Sequence, residues 1–348
     1  MDQTEPAKAA RKRRKMQRVT MTDVAKHADV SPSTVSLYLR KPEAVSERIG
    51  QRVEHAIAEL GYVPNYVAGG LAAAGSRVVS VIVPSLRNAF FSDTVTELEK
   101  LLAESRLQTL VGHTEYSATQ EEALVRAALS WAPAAVVLTG TAHTQATRDL
   151  LRRNGTPVVE MWELTDDPID QAVGFSHEDV GRRIARHFIG KGYESAAFLG
   201  ARMGDDKRAA DRARGFEAEM RAYGVPVQVV EDHAPASTGS AARLLDNLDS
   251  PVRAVACSND TVALGVLFEA QRRGIAVPGE LAIAGFGDLE FSAQSVPPLT
   301  TVRPSASEIA ARVADCIRAR DPLTATSGAG EGPRVFDTGF AFVPRESG

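Results

Sequence analysis

The chain has 348 residues, 44% of them hydrophobic and 24% charged, with a net charge of −4. These are ordinary values for a soluble globular protein of two or three units, and no apolar run approaches the roughly 20 residues that span a bilayer. Two cysteines, Cys257 and Cys316, are too few for a disulfide framework and read as buried thiols of a reducing, cytoplasmic compartment.

The charge is unevenly spread. Residues 1–77 hold 13 Lys/Arg against 8 Asp/Glu, leaving 27 against 36 for the remainder. A basic head on an acidic body suits a head that touches phosphate. The N-terminal stretch has no apolar core, so it is not a secretory signal. Within residues 1–18, the run Arg11-Lys12-Arg13-Arg14-Lys15 is either a phosphate-binding arm or a solvated, disordered tail.

Residues 19–63 read as three short helices. Thr20 and Asp23 have capping-box spacing, with Val24, Ala25 and Ala28 forming a small apolar face behind them. Asp29-Val30 makes the turn. Ser31 is a good N-cap and Pro32 is favoured at the first helical position, so a second helix runs over Pro32–Leu39, with Val35 and Leu39 one turn apart against the first. A third helix starts at Ser46, carries Ile49, Val53, Ile57 and Leu60 at helical spacing, and closes at Gly61. Two short helices around a tight turn seat a helix in the major groove, although spacing alone fits an ordinary protein-binding unit equally well.

Particular residues separate those readings. The string from Val19 to Ser36, together with Val45-Ser46 and Leu60-Gly61-Tyr62-Val63-Pro64-Asn65, closely resembles the head of the LacI/GalR family of bacterial repressors, and the resemblance continues to the C-terminus. It implies a helix-turn-helix transcription regulator, not an enzyme, that forms a homodimer on a palindromic operator. It places Pro32, Ser33 and Leu37 at base edges. Thr20 is a further candidate DNA contact, and Ser31, Thr34 and Ser36 stand where hydroxyls bond phosphates. Many relatives carry Arg where Leu37 stands. Leucine cannot make arginine's bidentate guanine contact and can instead touch a thymine methyl or pack.

Residues 64–76 resemble the family's hinge, which becomes helical on operator DNA. Asn65 flanks it, and Leu71 stands at the position that wedges into the minor groove. Gly69 and Gly70 weaken any helix there, each by roughly 1 kcal/mol against Ala.

From Val78 to the end, β-rich runs alternate with amphipathic helices. A first series has strands at Val78–Val83, Leu107–Gly112, Ala135–Leu138 and Pro157–Met161. A second opens near Val173, with strands at Ala196–Gly200, Val227–Val230, Ala254–Cys257 and Leu281–Ala284. Helices lie over 91–105, 119–131, 179–189, 207–223 and 260–273. Such alternation implies parallel sheets with right-handed crossovers. The expected fold is an all-α head and hinge ahead of an α/β periplasmic-binding-protein-like core, 77–348, of two doubly wound lobes with a ligand in the cleft between them.

No nucleophile elbow, P-loop, zinc-protease motif or dinucleotide fingerprint is present. His177-Glu178-Asp179 reads as a helix N-terminus rather than a metal site, and no cofactor or metal is expected. By the family resemblance, Phe90 and Phe91 stack on the effector and Arg212 bonds it. Glu160 and Trp162 share one strand face leading into the cleft, Trp162 standing where many relatives carry Asp. Gly287 replaces a sugar-binding Asp, with Asp288 beside it. Loss of that carboxylate, with Arg202, Lys207, Arg208 and Arg212 nearby, favours an anion over a neutral sugar. Thr156-Pro-Val-Val-Glu160, Ala172-Val-Gly-Phe175 and Leu199-Gly-Ala-Arg202 are among the stretches that resemble gluconate-utilisation repressors, so a sugar acid such as gluconate is expected. The alternatives are a regulator answering to a neutral sugar, a transport-type binding protein and a sugar-acid enzyme.

Overall fold

A computed structural model describes residues 19–63, 77–320 and 334–348. The basic arm and the hinge, including Asn65 and Leu71, lie outside the described residues. The chain divides into two units, with the boundary at Ala73–Ala74.

The first unit holds α1 (Met21–His27), α2 (Pro32–Arg40) and α3 (Glu47–Leu60). The capping box is present: the Thr20 side chain accepts from the Asp23 N–H at 3.3 Å, and the Asp23 carboxylate accepts from the Thr20 N–H at 2.8 Å. Asp29 turns the chain with φ +49°. Ser31 caps α2 by accepting from the Thr34 N–H, and Gly61 ends α3 in the left-handed region. Val24, Ala25, Ala28, Val35, Val53 and Ala56 form the buried core, with Leu39, Ile49, Ile57 and Leu60 packed against it. Ser46 stands ahead of α3 without a side-chain capping bond.

The second unit begins with a six-stranded, wholly parallel sheet of order β11-β5-β4-β3-β1-β2. Its strands are β1 (Val78–Val83), β2 (Gln108–His113), β3 (Ala135–Thr139), β4 (Val158–Met161), β5 (Gln171–Gly174) and β11 (Arg334–Asp337). One face packs on α4 (Ala89–Glu104) and α11 (Ala306–Arg320). The other packs on α5 (Ala118–Leu129) and α6 (Gln145–Asn154).

The second sheet is four-stranded and parallel, in the order β7-β6-β8-β9. It comprises β6 (Ala196–Ala201), β7 (Val227–Asp232), β8 (Ala254–Cys257) and β9 (Ala282–Ala284). It lies between α7 (His177–Gly190) with α8 (Lys207–Ala222) and α9 (Ser240–Asp246) with α10 (Asp260–Arg273). An antiparallel pair, β10 (Thr301–Pro304) and β12 (Phe340–Val343), completes the unit. The two doubly wound lobes follow from the alternating pattern.

One boundary differs from the sequence reading. The strand at Val173 does not open the second lobe; β5 pairs with β4 and β11 in the first sheet. The chain therefore crosses to the second lobe just after β5, and α11 and β11 return to the first. Local periodicity cannot reveal such a return, because the partners are distant in sequence. Cys257 and Cys316 are both buried and free. No described helix is long and apolar enough to cross a membrane.

Candidate functional site

On the head, α2 presents its N-terminal end outward. Ser31, Pro32, Ser33 and Leu37 are exposed, and Thr34 and Ser36 are half-buried. The Ser31 hydroxyl lies 2.7 Å from that of Ser33 and 2.8 Å from that of Thr34, so the three hydroxyls form one cluster at the helix start. Val35 is fully buried on the opposite side. The capped positive end of a helix dipole, with its hydroxyls in the open, is suited to phosphate oxygens.

In the core, the C-terminal ends of the strands of both sheets meet. Four of these strand ends carry a non-glycine residue with positive φ: Tyr116 (+66°), Trp162 (+76°), Arg202 (+52°) and Asp288 (+49°). Gly140, after β3, has φ +94°. Strained backbone gathered at one place is characteristic of binding sites.

Between the sheets lies an aromatic cluster. Phe90 stands 4.5 Å from Phe91, 5.3 Å from Trp162 and 5.9 Å from Phe286, centroid to centroid, and Phe175 packs on Trp162 and Phe286. The second lobe places two buried arginines of α8 against it. The Arg212 guanidinium lies over Phe286 at 4.1 Å and that of Arg208 over Phe91 at 5.5 Å.

The two arginines have different partners. Arg208 Nη1 donates to Glu163 at 3.0 Å and its Nη2 lies 3.3 Å from Asp206. Burial opposes its charge, but these carboxylates outweigh that and hold it protonated. Arg212 has no carboxylate partner among the described residues. Its Nη2 donates to the Ser258 carbonyl at 2.7 Å and its Nη1 to His177 Nδ1 at 2.8 Å, while Nε has no partner. Burial lowers its pKa to about 10, the charge of Asp206 opposing the shift and that of Arg208 adding to it. Trp162 Nε1 and Ser258 Oγ are likewise buried without hydrogen-bond partners. A cavity of about 230 Å³ is lined by Thr141, Glu163, Phe175, His177, Lys207 and Asp211 among others, so that it meets this cluster at Phe175 and His177.

The structure brings Phe90, Phe91, Trp162, Arg208 and Arg212 together and separates three other candidates from them. Glu160 is fully buried on the opposite face of β4, accepting from the Ile169 N–H at 2.6 Å and lying 3.3 Å from His143 Nε2. Strand alternation does predict Glu160 and Trp162 on one face. The left-handed backbone at Trp162 breaks that alternation and swings the indole into the aromatic cluster. Asp288 is clamped by Arg303 at 2.5 Å and Arg345 at 2.6 Å. Arg202 pairs with Asp205 at 3.3 Å and lies over the Tyr116 ring at 5.6 Å, at the margin of the cluster. Lys207 is exposed.

Sequence reasoning missed Glu163 and the buried contacts of His177, although the helix does start at His177 with Glu178 and Asp179 in its first turn. The N-cap of α7 is Ser176, whose hydroxyl accepts from the Asp179 N–H, whereas His177 is buried and bonded at both ring nitrogens. The available signal was position: both residues lie just beyond strand ends. Among the described residues, no group of three or more His, Cys, Asp or Glu is arranged to hold a metal ion.

The comparisons agree with this geometry. The family model for bacterial regulatory proteins, lacI family, matches residues 20–65, and that for a periplasmic binding protein-like domain matches residues 185–347. The HTH-type transcriptional regulator GntR of Pseudomonas aeruginosa is 35% identical over 335 residues, covering 95% of this chain and 96% of the relative. The protein of the same name from Escherichia coli K12 is 33% identical over 337 residues, covering 95% and 98%. The chain belongs to the LacI family of bacterial regulatory proteins. It is a DNA-binding transcriptional regulator, and its relatives are regulators rather than enzymes. A solved LacI-family regulator from Silicibacter pomeroyi has the same fold, with a TM-score of 0.83 and 32% identity, covering 94% of this chain and 99% of that one. The Lac repressor dimer bound to operator shares the fold at a TM-score of 0.78 and 22% identity, covering 95% and 99%.

Proposed function

We propose that this regulator is a homodimeric repressor of sugar-acid catabolism genes whose operator affinity changes when a sugar acid, such as gluconate, binds between the lobes. Residues 19–63 are the DNA-binding head, 64–76 the hinge and 77–348 the effector and dimerisation core. A palindromic operator matches the dimer.

The observation that carries the effector class is the uneven sharing of charge between Arg208 and Arg212. Arg208 takes both nearby carboxylates, and Arg212 is left buried with neutral partners and a free Nε donor. A buried cation with no carboxylate bonded to it is costly, Asp206 and Asp211 acting on it only from further away, and a ligand carboxylate is a group that compensates it. Phe175, at the edge of the aromatic cluster, supplies an apolar wall to the cavity. The matched relatives named GntR support the same class.

Calorimetry and thermal shift with gluconate and with glucose test this reading. Gluconate should bind and raise the melting temperature by mass action, and glucose should not. Arg212→Met, which keeps the side-chain bulk, should lose gluconate binding and the ligand's effect on operator affinity. Preference for glucose, or unchanged gluconate affinity in Arg212→Met, rules the reading out.

A further inference from the structure

His177 lies where the two lobes meet, and the preceding reading gives it no role. Its ring is buried, 4.7 Å from Phe175 and 5.7 Å from Phe286 between centroids. Nδ1 is 2.8 Å from Arg212 Nη1 and Nε2 is 3.0 Å from the Trp162 carbonyl oxygen.

Elementary hydrogen-bond chemistry fixes the state of this ring. A guanidinium only donates, so Nδ1 must offer its lone pair. A carbonyl only accepts, so the proton sits on Nε2. The ring is therefore neutral, one tautomer, and satisfied at both ends. Burial, with Arg212 and Arg208 adjacent, holds its pKa well below the usual histidine range. The carboxylates around it are occupied elsewhere. Glu163 pairs with Arg208, Glu178 with Arg182 and Arg214, and Asp179 with Arg182.

The two bonds join bodies of different kinds. Helices α7 and α8, which carry His177 and Arg212, pack with their backbones in contact. A Cβ on Gly181 would collide with the Arg212 carbonyl, and one on Gly215 with that of Glu178. Trp162 belongs to the first lobe, on a left-handed residue whose N–H donates to the Val173 carbonyl at 2.8 Å. The imidazole thus ties the arginine of the second lobe to the backbone of the first.

We propose that His177 is the positioning residue of the effector site, orienting the Arg212 guanidinium toward an anionic ligand and linking it to the Trp162 backbone of the opposite lobe. This rests on the effector reading above only for the identity of the ligand. The link from Arg212 through His177 to the Trp162 backbone does not depend on that identity.

The test has two arms. In the first, the full-length protein is labelled with ¹⁵N-histidine and its ring nitrogens are observed at neutral pH. Wild type should show a ring with an acceptor-type Nδ1 and a protonated Nε2, and that pair of signals should vanish in His177→Asn. A cationic ring, or the opposite tautomer, overturns the assignment whatever the ligand proves to be. In the second arm, gluconate is titrated into wild type, His177→Phe and His177→Asn. The phenyl ring keeps the aromatic packing but removes both bonds, and affinity should fall about tenfold or more. The asparagine carboxamide puts an acceptor oxygen where Nδ1 stands and should hold affinity within about threefold of wild type. Equal affinity in wild type and His177→Phe overturns the proposal. If wild type takes up no gluconate, the effector reading fails, and the imidazole spectrum still decides whether His177 ties Arg212 to the Trp162 backbone.

Discussion

Arg208 of the second lobe meets Glu163 of the first at 3.0 Å, with both side chains nearly sealed from water. The Glu163 carboxylate is held from its other side by Thr141, whose N–H donates to it at 3.2 Å and whose hydroxyl donates at 2.8 Å. The cross-lobe contact is therefore preorganised from both ends. Glu163→Gln leaves Arg208 with Asp206 as its remaining carboxylate. The expected loss of stability is about 1–3 kcal/mol, below the 3–5 kcal/mol typical when a buried charge loses its sole partner. Urea unfolding checks this, because a shift of midpoint at constant slope reports stability alone. A midpoint equal to that of wild type would show the ion pair to be energetically idle.

Gly140 is the position that lets this pair form. Its φ is +94°, and a Cβ there would stand 2.6 Å from Arg208 Nη1 and 3.0 Å from Glu163 Oε1. Gly140→Ala therefore meets both a backbone penalty of about 1–3 kcal/mol and a displaced guanidinium. The variant should be destabilised, and its effect should be less than additive with Glu163→Gln, because the two changes disrupt one contact. A double-mutant cycle by urea unfolding measures the coupling. Strict additivity would separate the glycine from the ion pair.

This pair also marks the limit of what the sequence made legible. The helix-turn-helix was readable because capping residues, apolar spacing and turn chemistry are all local: Thr20, Asp23, Ser31, Pro32 and Gly61 each occupy the cap their type predicts. The lobes were readable from alternation. Arg212 was reached by resemblance, and the structure surrounds it with neutral partners. What stayed hidden depended on single backbone angles and on distant pairings. Positive φ at Trp162 sends its side chain away from Glu160, and no periodicity rule anticipates that. The removal of Asp288 into an arginine clamp depends on Arg345, 57 positions further along the sequence. His177 does start α7, but its burial and its bonds to Arg212 and Trp162 depend on partners distant in sequence.

The capping box of the head gives a local prediction. The Thr20 hydroxyl accepts from the Asp23 N–H and donates to the Asp23 carboxylate, the latter at 2.6 Å. Thr20→Ala removes the cap and should cost about 1 kcal/mol of helix stability. In hydrogen exchange on the full chain, the amides of α1 should lose roughly fivefold protection, while those of β1 and β3 stay as in wild type. Unchanged protection in α1 would mean that helix packing, rather than the cap, holds this end of the head.

A second buried histidine supplies a pH dependence. His143 lies between two carboxylates on the α5–α6 face of the first lobe, with Nδ1 at 2.7 Å from Glu121 and Nε2 at 3.3 Å from Glu160. Arg148 also approaches Glu160, at 3.8 Å. Burial opposes the charged ring, but the hydrogen bond to Glu121 and the close carboxylates of Glu121 and Glu160 outweigh it, raising the pKa to about 9. The folded state thus binds this proton more tightly than the unfolded chain, whose histidine titrates near 6.5. The stabilisation is complete below pH 6.5 and is lost as the pH rises through 9, a loss on the order of 3 kcal/mol. His177 works in the opposite sense at lower pH, since its folded pKa is depressed and its contribution falls as acid drives it toward protonation. The range from pH 6.5 to 7.5 is therefore governed by His143, while burial of the Cys257 and Cys316 thiols adds a loss in the same sense near pH 9 that wild type and His143→Gln share. Urea unfolding at pH 6.5, 7.5 and 9 should show wild type weakening across the series. His143→Gln should be less stable than wild type at pH 6.5 and should lose much of that slope, so that the two converge toward pH 9. A slope that persists unchanged in His143→Gln would place the titrating group elsewhere in the core.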